Sequence, residues 1–464
     1  MVFLLMLLAA VGLTTPSAPA LPDTPAARAY TAWQNAFNST DRETYRRFVM
    51  NSFPSREKGI EDDVAFAGDT GGFTLSKVEE STPNTLTVLV QERLSDQIAR
   101  LAIVVEDAAE HRITSLSVRA IPRPADLALP HLAQSNLIAA LRSKLAADAT
   151  GDRFAGSVLV AKDGKAIFSE SYGLADRERK LPNTAQTRFR IGSMNKMFTA
   201  VAIMQLVQAG KVKLSDSLGT YLTDYPNQQT AAHVTIEELL SHTGGTGDFF
   251  GPEFDAHRLE LRTLHDYIRL FGARATLFEP GTKWRYSNYG YILLGAVIEK
   301  ASGMSYYDYV RDRIYLPAGM TATESQPESV AVANRSIGYT KDDGPLRSNE
   351  NTLPYRGTSA GGGYTTAVDL LRFANALVRN KLLDAPHLAL LTTPKTGALN
   401  PSYAYGFGNS VSNGTRCFGH NGGAPGMSAD LAICSDYVVV ALANIDPPAA
   451  DRISQFVVNR LPAP

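Results

Sequence analysis

The first hundred residues after an apolar N-terminus change from a helical to a strand-like hydrophobic pattern. Between Thr24 and Met50, large apolar residues recur every three or four positions, which predicts helix. Four later stretches alternate apolar and polar residues, and turn-prone residues separate most of them, which predicts antiparallel strands. They are Gly72–Val78, Thr85–Glu92, Ile98–Val105 and Arg112–Arg119. Helices followed by such a meander predict a small α+β layer.

The rest of the chain carries strand patterns at both ends and helical patterns between them. Asp163-Gly164 separates two apolar runs and predicts a β-hairpin. From Ser193 to Gln208 the chain is apolar nearly all round, as in a helix inside a large domain. The pattern over residues 212–390 is mainly helical. Further helices are predicted at His131–Asp148 and Ala449–Leu461, and further strands at Ser157–Ala161, Ala166–Tyr172, Thr415–Gly419, Ser428–Cys434 and Tyr437–Asn444.

Three prolines separate these two regions and predict a linker, namely Pro122, Pro124 and Pro130. We therefore expect a small α+β domain over residues 21–121, the linker over 122–132 and a second domain over 133–464. The predicted topology of the small domain resembles the cone-shaped NTF2-like (cystatin-like) fold. This domain contains no obvious catalytic set, and we interpret it as an accessory domain for packing or substrate positioning.

The apolar N-terminus is typical of a secretory signal. The run Val2–Leu13 is about a dozen residues long, and Ala18-Pro19-Ala20 after it resembles a signal-peptidase site. Residues 1–20 are therefore predicted to be a signal peptide, with a buried N-terminal helix as the alternative. No other segment has about 18 uninterrupted apolar residues, so we expect no membrane span after signal removal. The expected location is secreted or periplasmic.

The composition narrows the classes of partner and cofactor. The 464 residues carry a net charge of -1 without a long run of one sign, which argues against binding to nucleic acid. The eight histidines show no H-x-x-H or H-E-x-x-H spacing, so no metal is predicted, and no other cofactor either. Cys417 and Cys434 either form one disulfide or stay two separate buried thiols. The oligomeric state cannot be predicted from this sequence.

Ser193 and Lys196 form an S-x-x-K pattern at the start of the apolar helix. A serine at a helix start lies near backbone N–H groups, and a lysine three residues later lies on the same face. A desolvated lysine has a lowered pKa and can take the serine proton. Ser55 and Lys58 have the same spacing, but their charged, polar surroundings predict solvated surface. Because a lysine in an apolar helix is costly without a function, we assign the chemistry to Ser193 and Lys196.

Two further patterns supply groups that acyl transfer needs. Tyr286 and Asn288, in a Y-S-N sequence, offer a phenol that relays a proton and an amide that holds a substrate carbonyl. His420 precedes Gly422 and Gly423, and glycines at a strand end let the backbone approach a substrate closely. A backbone N–H here and that of the serine would form an oxyanion hole. The alternatives are an ordinary loop for the first pattern and a structural histidine for the second.

In this order the three patterns resemble those of the serine β-lactamase and penicillin-recognising enzyme superfamily, and most of all its class C β-lactamase-related serine hydrolases. The similarity extends over about residues 133–464. It includes Phe154–Val160, Thr187–Gly192, Leu239–Gly245, Pro317–Met320 and Gly361–Thr366. The resemblance implies a β-lactamase/transpeptidase-like fold of the α+β or α/β class, with an antiparallel sheet flanked by helices plus a helical subdomain.

The resemblance also implies a role for each residue of the first two patterns. Ser193 would be the nucleophile that becomes acylated, and Lys196 would be its base. Tyr286 would share proton transfer in acylation and activate the deacylating water. Asn288 would contact the acyl amide or carbonyl of the substrate. The N–H groups of Ser193 and Gly423 would form the oxyanion hole. His242 lies in an H-T-G-G segment that resembles the H-T-S-G loop of the family, and we interpret it as structural.

His420 marks a departure from the family pattern, because classical members usually place Lys-Thr-Gly or Lys-Ser-Gly there. Lysine is a fixed positive charge for a substrate carboxylate, whereas histidine near pH 7 is mostly neutral. Esterase and peptidase members often carry histidine at this position. We therefore expect a serine hydrolase of the carboxylesterase or D-amino-acid peptidase (DD-carboxypeptidase-like) type, with a small-molecule ester, peptide or β-lactam as substrate. The alternatives are a β-lactamase, a slow-turnover penicillin-binding sensor and a binding module.

Overall fold

The boundary between two folding units lies between Ala128 and Leu129 in the computed structural model, which describes residues 19–341, 344–394, 397 and 399–463. This boundary falls within the stretch expected to be a linker. The predicted signal peptide lies almost entirely outside the described residues. Among the described residues, no helix combines the length and the apolar character that crossing a membrane requires.

The first unit is a small α+β layer, as the hydrophobic pattern predicts. Its elements are α1 (Pro25–Asn38), α2 (Arg42–Ser52), α3 (Ile60–Thr70), β1 (Phe73–Ser81), β2 (Thr85–Glu92), β3 (Ile98–Val105) and β4 (Ile113–Ile121). The strands form an antiparallel sheet in the order β1-β2-β3-β4, which confirms the predicted meander. Aromatic residues of α1, among them Trp33 and Phe37, pack against Phe73 at the start of β1 and fill the core.

The helical part of this unit differs from the prediction in two ways. Residues 24–50 form two helices, because Thr40 adopts a positive φ of 54° and Asp41 caps α2 by accepting from the Thr44 N–H. The helix α3 was not predicted. A 3₁₀ turn over Pro54–Gly59 precedes it and contains the second S-x-x-K pattern, whose serine and lysine are both exposed.

The second unit begins with α4 (Gln134–Thr150) and contains the helices α5 (Asn195–Gln208), α6 (Gln228–His233), α7 (Ile236–Leu240), α8 (Pro252–His257), α9 (Leu264–Phe271), α10 (Asn288–Ser302), α11 (Tyr306–Val310), α12 (Leu316–Ala318), α13 (Ala367–Val378), α14 (Ala385–Thr392) and α15 (Ala449–Val458). Its strands are β5 (Gly156–Lys162), β6 (Lys165–Tyr172), β7 (Leu174–Asp176), β8 (Leu181–Pro182), β9 (Phe189–Arg190), β10 (Tyr339–Thr340), β11 (Arg347–Ser348), β12 (Tyr364–Thr365), β13 (Gly408–Ser412), β14 (Thr415–Ala424), β15 (Met427–Cys434) and β16 (Tyr437–Ala443).

Six of these strands form one antiparallel sheet in the order β13-β14-β15-β16-β5-β6. The sheet is covered on both faces, because successive residues of β5 point to different cores. Val158 and Val160 pack with α4 and α15, whereas Leu159 and Ala161 belong to the larger core around α5 and α10. Covered faces explain why β5 and β16 are almost continuously apolar. The predicted sheet with flanking helices and a helical block is confirmed.

The structure corrects three details of the predicted second unit. The strand β13 was not predicted. The strand β14 runs to Ala424 rather than ending at Gly419, so the H-N-G-G sequence lies inside a paired strand and not after it. The helix α5 begins at Asn195 rather than at Ser193, directly after a 3₁₀ turn over Gly192–Met194 that contains this serine. The hairpin at Asp163-Gly164 is confirmed, with both residues at positive φ as a two-residue turn requires.

The two cysteines lie opposite each other on neighbouring strands. Cys417 of β14 and Cys434 of β15 are register partners and form a disulfide. The sequence had left the pairing open, because strand register decides whether two cysteines can meet. The disulfide ties β14, which carries the third pattern, to its neighbour β15.

Candidate active site

Ser193 lies on a tight turn between the short strand β9 and the buried helix α5. The turn requires Gly192, which has a φ of +50° and whose missing side chain would approach the Gly423 nitrogen to 2.9 Å. The backbone of residues 361–363 holds the other side, since the Gly362 N–H donates to the Gly192 carbonyl at 3.0 Å. Ser193 is partly exposed, whereas its neighbours on either side are buried. The turn therefore presents one hydroxyl at the surface of a closely packed core.

Lys196 is fully buried one turn further along. Its Nζ lies 3.1 Å from the Ser193 Oγ and 2.7 Å from the Asn288 Oδ1, and it also contacts the Ala360 carbonyl oxygen. Burial lowers the pKa of Lys196 from its ordinary 10.5 to about 7. A neutral amine in this position donates its two hydrogens to Asn288 and Ala360 and turns its lone pair toward the serine hydroxyl. The surroundings thus fit a lysine that accepts the serine proton.

Tyr286 and Asn288 flank the N-cap of α10. Ser287 caps this helix by accepting from the Gly290 N–H at 2.9 Å, which places the residues on either side of it at the helix start. The Tyr286 ring lies 4.7 Å from the Lys196 Nζ, and its phenol interacts with Ser193. Burial raises the pKa of Tyr286 above its usual value. Because the phenol keeps its proton at neutral pH, Lys196 is the better general base of the two.

Asn288 bridges Lys196 to a carboxylate that we did not single out from the sequence. While its Oδ1 accepts from Lys196, its Nδ2 donates to the Asp248 Oδ2 at 2.8 Å. One face of the amide is therefore fixed by two protein contacts. The second Nδ2 hydrogen is the group left for the substrate contact that was predicted for Asn288.

His420 takes part in a chain of hydrogen bonds whose direction is fully determined. The Ser287 N–H donates to the His242 Nδ1 at 3.1 Å, so the neutral His242 ring carries its hydrogen on Nε2 and donates to the Tyr403 hydroxyl at 3.0 Å. Tyr403 in turn donates to the His420 Nε2 at 3.1 Å, and the His420 Nδ1 donates to the Asn421 carbonyl. All three side chains of this His242–Tyr403–His420 chain are buried.

Both imidazoles of the His242–Tyr403–His420 chain are neutral. Burial, with a smaller contribution from the charge of Lys196, lowers the pKa of His420 to about 4 and that of His242 well below its usual value. Both nitrogens of His420 are already bonded, so a direct substrate contact would require one of these bonds to break. The predicted basic position is thus occupied by a neutral, anchored side chain. The His242 ring also packs against Tyr286 at 4.3 Å, in keeping with a structural role.

The glycines of β14 lie against the turn that contains Ser193. A side chain at Gly422 would meet the Ile191 oxygen at 1.9 Å and the Ser193 nitrogen at 2.9 Å, so only glycine lets the two segments approach this closely. The backbone nitrogens of Ser193 and Gly423 therefore lie on facing segments, where the predicted oxyanion hole would be. The structure brings all seven predicted site residues to one place.

Three contributors to this site were missed by the sequence argument. Asp248 lies in the loop after the H-T-G-G sequence, Tyr403 follows α14, and the acceptor from Ala360 is a backbone carbonyl. A backbone group has no signature in a sequence. An aspartate in a glycine-rich loop or a tyrosine after a helix is an ordinary occurrence, so neither stands out before the fold brings them together.

A family comparison bears on the same region. The model of the Beta-lactamase family matches residues 139–462, which is most of the chain and includes the whole site. The chain belongs to the β-lactamase family. Within this family, penicillin-binding protein 4* of Bacillus subtilis is 32% identical over 60% of this chain, and the match spans 64% of that relative. This chain therefore covers less than two thirds of that protein's length.

The chain is also similar to solved structures. A penicillin-binding protein from Bacillus halodurans matches with a TM-score of 0.60 and 32% identity, over 68% of this chain and 98% of that one. A D-stereospecific amidohydrolase from Streptomyces matches with a TM-score of 0.59 and 29% identity, over 69% of this chain and 97% of that one. The β-lactamase/transpeptidase-like fold expected from the resemblance is confirmed.

For this member of the β-lactamase family we expect kcat/KM to rise with pH and to reach half of its maximum near pH 7. We call the rising part of this pH profile its acid limb. The pKa of Lys196 is lowered to about 7, and only the neutral amine accepts a proton. Below that pH, kcat/KM should fall by about tenfold per pH unit, and above it the rate should level off. Hydrolysis of p-nitrophenyl acetate from about pH 5 to about pH 9, corrected for the spontaneous rate, measures this. A rate that keeps rising to the top of this range would show an unperturbed lysine.

Proposed function

We propose that the protein hydrolyses ester or amide bonds through an acyl-enzyme on Ser193. The observation that carries the proposal is the 3.1 Å contact between the Ser193 Oγ and the Nζ of a fully buried Lys196. Because burial lowers the pKa of this lysine to about 7, much of it is a neutral base at physiological pH. Ser193 is partly exposed, so a substrate carbonyl can approach it.

The site residues divide the reaction into two steps. In acylation the Ser193 Oγ attacks the carbonyl carbon while its proton passes to the Lys196 Nζ, and the N–H groups of Ser193 and Gly423 stabilise the oxyanion. When the oxyanion collapses, the bond to the leaving oxygen or nitrogen breaks, and the leaving group takes the proton from Lys196 through the Tyr286 hydroxyl. In deacylation a water molecule attacks the acyl ester and gives its proton to the same pair. As the bond between the acyl carbon and the Ser193 Oγ breaks, this proton passes to the Oγ, and the acid and the free serine are released.

The neutral state of His420 favours substrates without an essential carboxylate. In classical family members, the lysine at the position of His420 offers a fixed positive charge to the β-lactam carboxylate. His420 offers no such charge near pH 7, because its pKa is lowered to about 4. A hydrogen bond to a charged group contributes about 1.5–3 kcal/mol, or roughly 10- to 100-fold in kcat/KM. The similarity to a D-stereospecific amidohydrolase supports amides of D-amino acids alongside simple esters as candidate substrates.

Short-chain p-nitrophenyl esters are therefore expected to be hydrolysed with a higher kcat/KM than a chromogenic cephalosporin. The expected ratio is at least about tenfold, from the missing charge-assisted contact. Steady-state kinetics on both substrates with one enzyme preparation measures the ratio, and the Ser193→Ala variant supplies the blank. Efficient cephalosporin turnover would favour the β-lactamase alternative, and a single burst without turnover on all substrates would favour the penicillin-binding sensor.

A further inference from the structure

The carboxylate of Asp248 is fixed beside the catalytic residues and carries an uncompensated negative charge. Its Oδ2 accepts from the Asn288 Nδ2 at 2.8 Å, and its Oδ1 accepts from the Phe249 N–H at 2.7 Å and the Phe250 N–H at 3.2 Å. Its backbone carbonyl accepts from Arg274 at 3.1 Å, but that guanidinium pairs with the carboxylate of Glu253. The side chain of Asp248 is exposed, and it forms no ion pair with any residue that the structure describes.

The charge of Asp248 acts on the reacting groups themselves. Two hydrogen bonds through the Asn288 amide connect the Asp248 carboxylate to the Lys196 Nζ. The carboxylate also interacts electrostatically with both Lys196 and Tyr286. On the other side of the site, His420 is neutral and fully bonded. The side of the site next to Asn288 therefore holds a carboxylate without an ion-pair partner among the described residues, whereas His420 contributes no positive charge. Such a site repels a substrate carboxylate and attracts a substrate cation.

We propose that Asp248 binds an ammonium group on the acyl part of the substrate, so that the substrates are aminoacyl esters, amides or peptides with a free amino group. The proposal rests on the acyl-enzyme function above and specifies its substrate class. An ammonium donates a charge-assisted hydrogen bond to a carboxylate oxygen. The Asp248 Oδ1 already accepts from two backbone N–H groups, whereas the Oδ2 accepts from Asn288 alone among the described residues and can take a second donor. The amino nitrogen of an α-amino acid is separated from the carbonyl carbon by one carbon atom. A carboxylate held next to Asn288, as that of Asp248 is, can therefore bind the amino group while the carbonyl lies at Ser193.

The test compares a matched pair of substrates that differ only in the amino group. Alanine p-nitroanilide and N-acetylalanine p-nitroanilide, in both D and L forms, are assayed with the wild type and with Asp248→Asn. The wild type is expected to prefer the free amine by roughly 10- to 100-fold in kcat/KM, the size of a charge-assisted contact. In Asp248→Asn this ratio should fall to about one, because the amide keeps the shape and loses the charge.

The controls separate substrate binding from indirect effects. Asp255→Asn removes the same charge from an exposed position on α8 and should leave the ratio as in the wild type. If Asp248 acts only on Lys196 through Asn288, the variant will lower both substrates equally, shift the acid limb and keep the ratio, which would overturn the proposal. A wild type without preference for the free amine overturns it too. Failure of the acyl-enzyme function itself looks different, because p-nitrophenyl acetate would then not be hydrolysed either.

Discussion

Ser193→Ala is expected to reduce ester hydrolysis to the spontaneous rate, a loss of at least about 10⁴-fold in kcat. The variant removes the oxygen that forms the acyl bond, and neither Lys196 nor Tyr286 replaces it as a nucleophile. Alanine fits the 3₁₀ turn, because the serine side chain makes its hydrogen bond to Lys196 rather than to the backbone. Initial rates with p-nitrophenyl acetate measure the loss, and thermal unfolding checks the fold.

The chain offers its own matched control for this substitution. Ser55 and Lys58 repeat the S-x-x-K spacing on the exposed 3₁₀ turn of the first unit. Ser55→Ala should leave kcat and KM at the wild-type values, because no apolar helix or acceptor set surrounds that pair. Undiminished activity in Ser193→Ala, or an equal loss in Ser55→Ala, would remove the basis for assigning the nucleophile.

Lys196→Met is expected to lower kcat by about 10²- to 10⁴-fold, the usual contribution of a general base. Methionine fills a similar volume in the buried helix but cannot accept the serine proton. It also leaves the Asn288 Oδ1 and the Ala360 oxygen without their donor, so a lower unfolding temperature should accompany the loss. The acid limb of the pH profile should disappear together with the group that titrates.

The matched control is again in the first unit. Lys58→Met removes an exposed lysine with the same spacing from its serine and should change neither kcat nor the pH profile. A Lys196→Met variant that retains the acid limb near pH 7 would contradict the assignment of this limb to Lys196. In that case another group of the site would have to be the base.

Sequence patterns predicted the parts of this fold that depend on local hydrophobic spacing. The meander of the first unit follows from alternating apolar residues, the hairpin from Asp163-Gly164 between two apolar runs, and the buried helix α5 from a segment that is apolar nearly all round. The same patterns underestimated β14, because glycines and a histidine do not look like a strand. Only pairing with β15 keeps Gly422 and Gly423 extended.

The residues of the proposed catalytic core could be selected from the sequence because they lie in three short patterns that occur in one order along the chain. What could not be predicted is how distant segments complete it. The Ala360 carbonyl, 164 positions from Lys196 along the chain, accepts one of its hydrogens. The neutral state of His420 depends on Tyr403, 17 positions away, and on burial that only the folded structure creates. Interactions of this kind exist only once tertiary packing has formed.

The most direct test of the account is intact-protein mass spectrometry during turnover. The wild type is mixed with a p-nitrophenyl ester, a D-alanyl p-nitroanilide or penicillin, quenched in acid and weighed, and the adduct is located by peptide mapping. The account predicts a transient acyl adduct with the ester or the D-alanyl amide on the peptide that contains Ser193, and none in Ser193→Ala. Hydrolysis of these substrates without such an adduct, or an adduct that persists in Ser193→Ala, would contradict it.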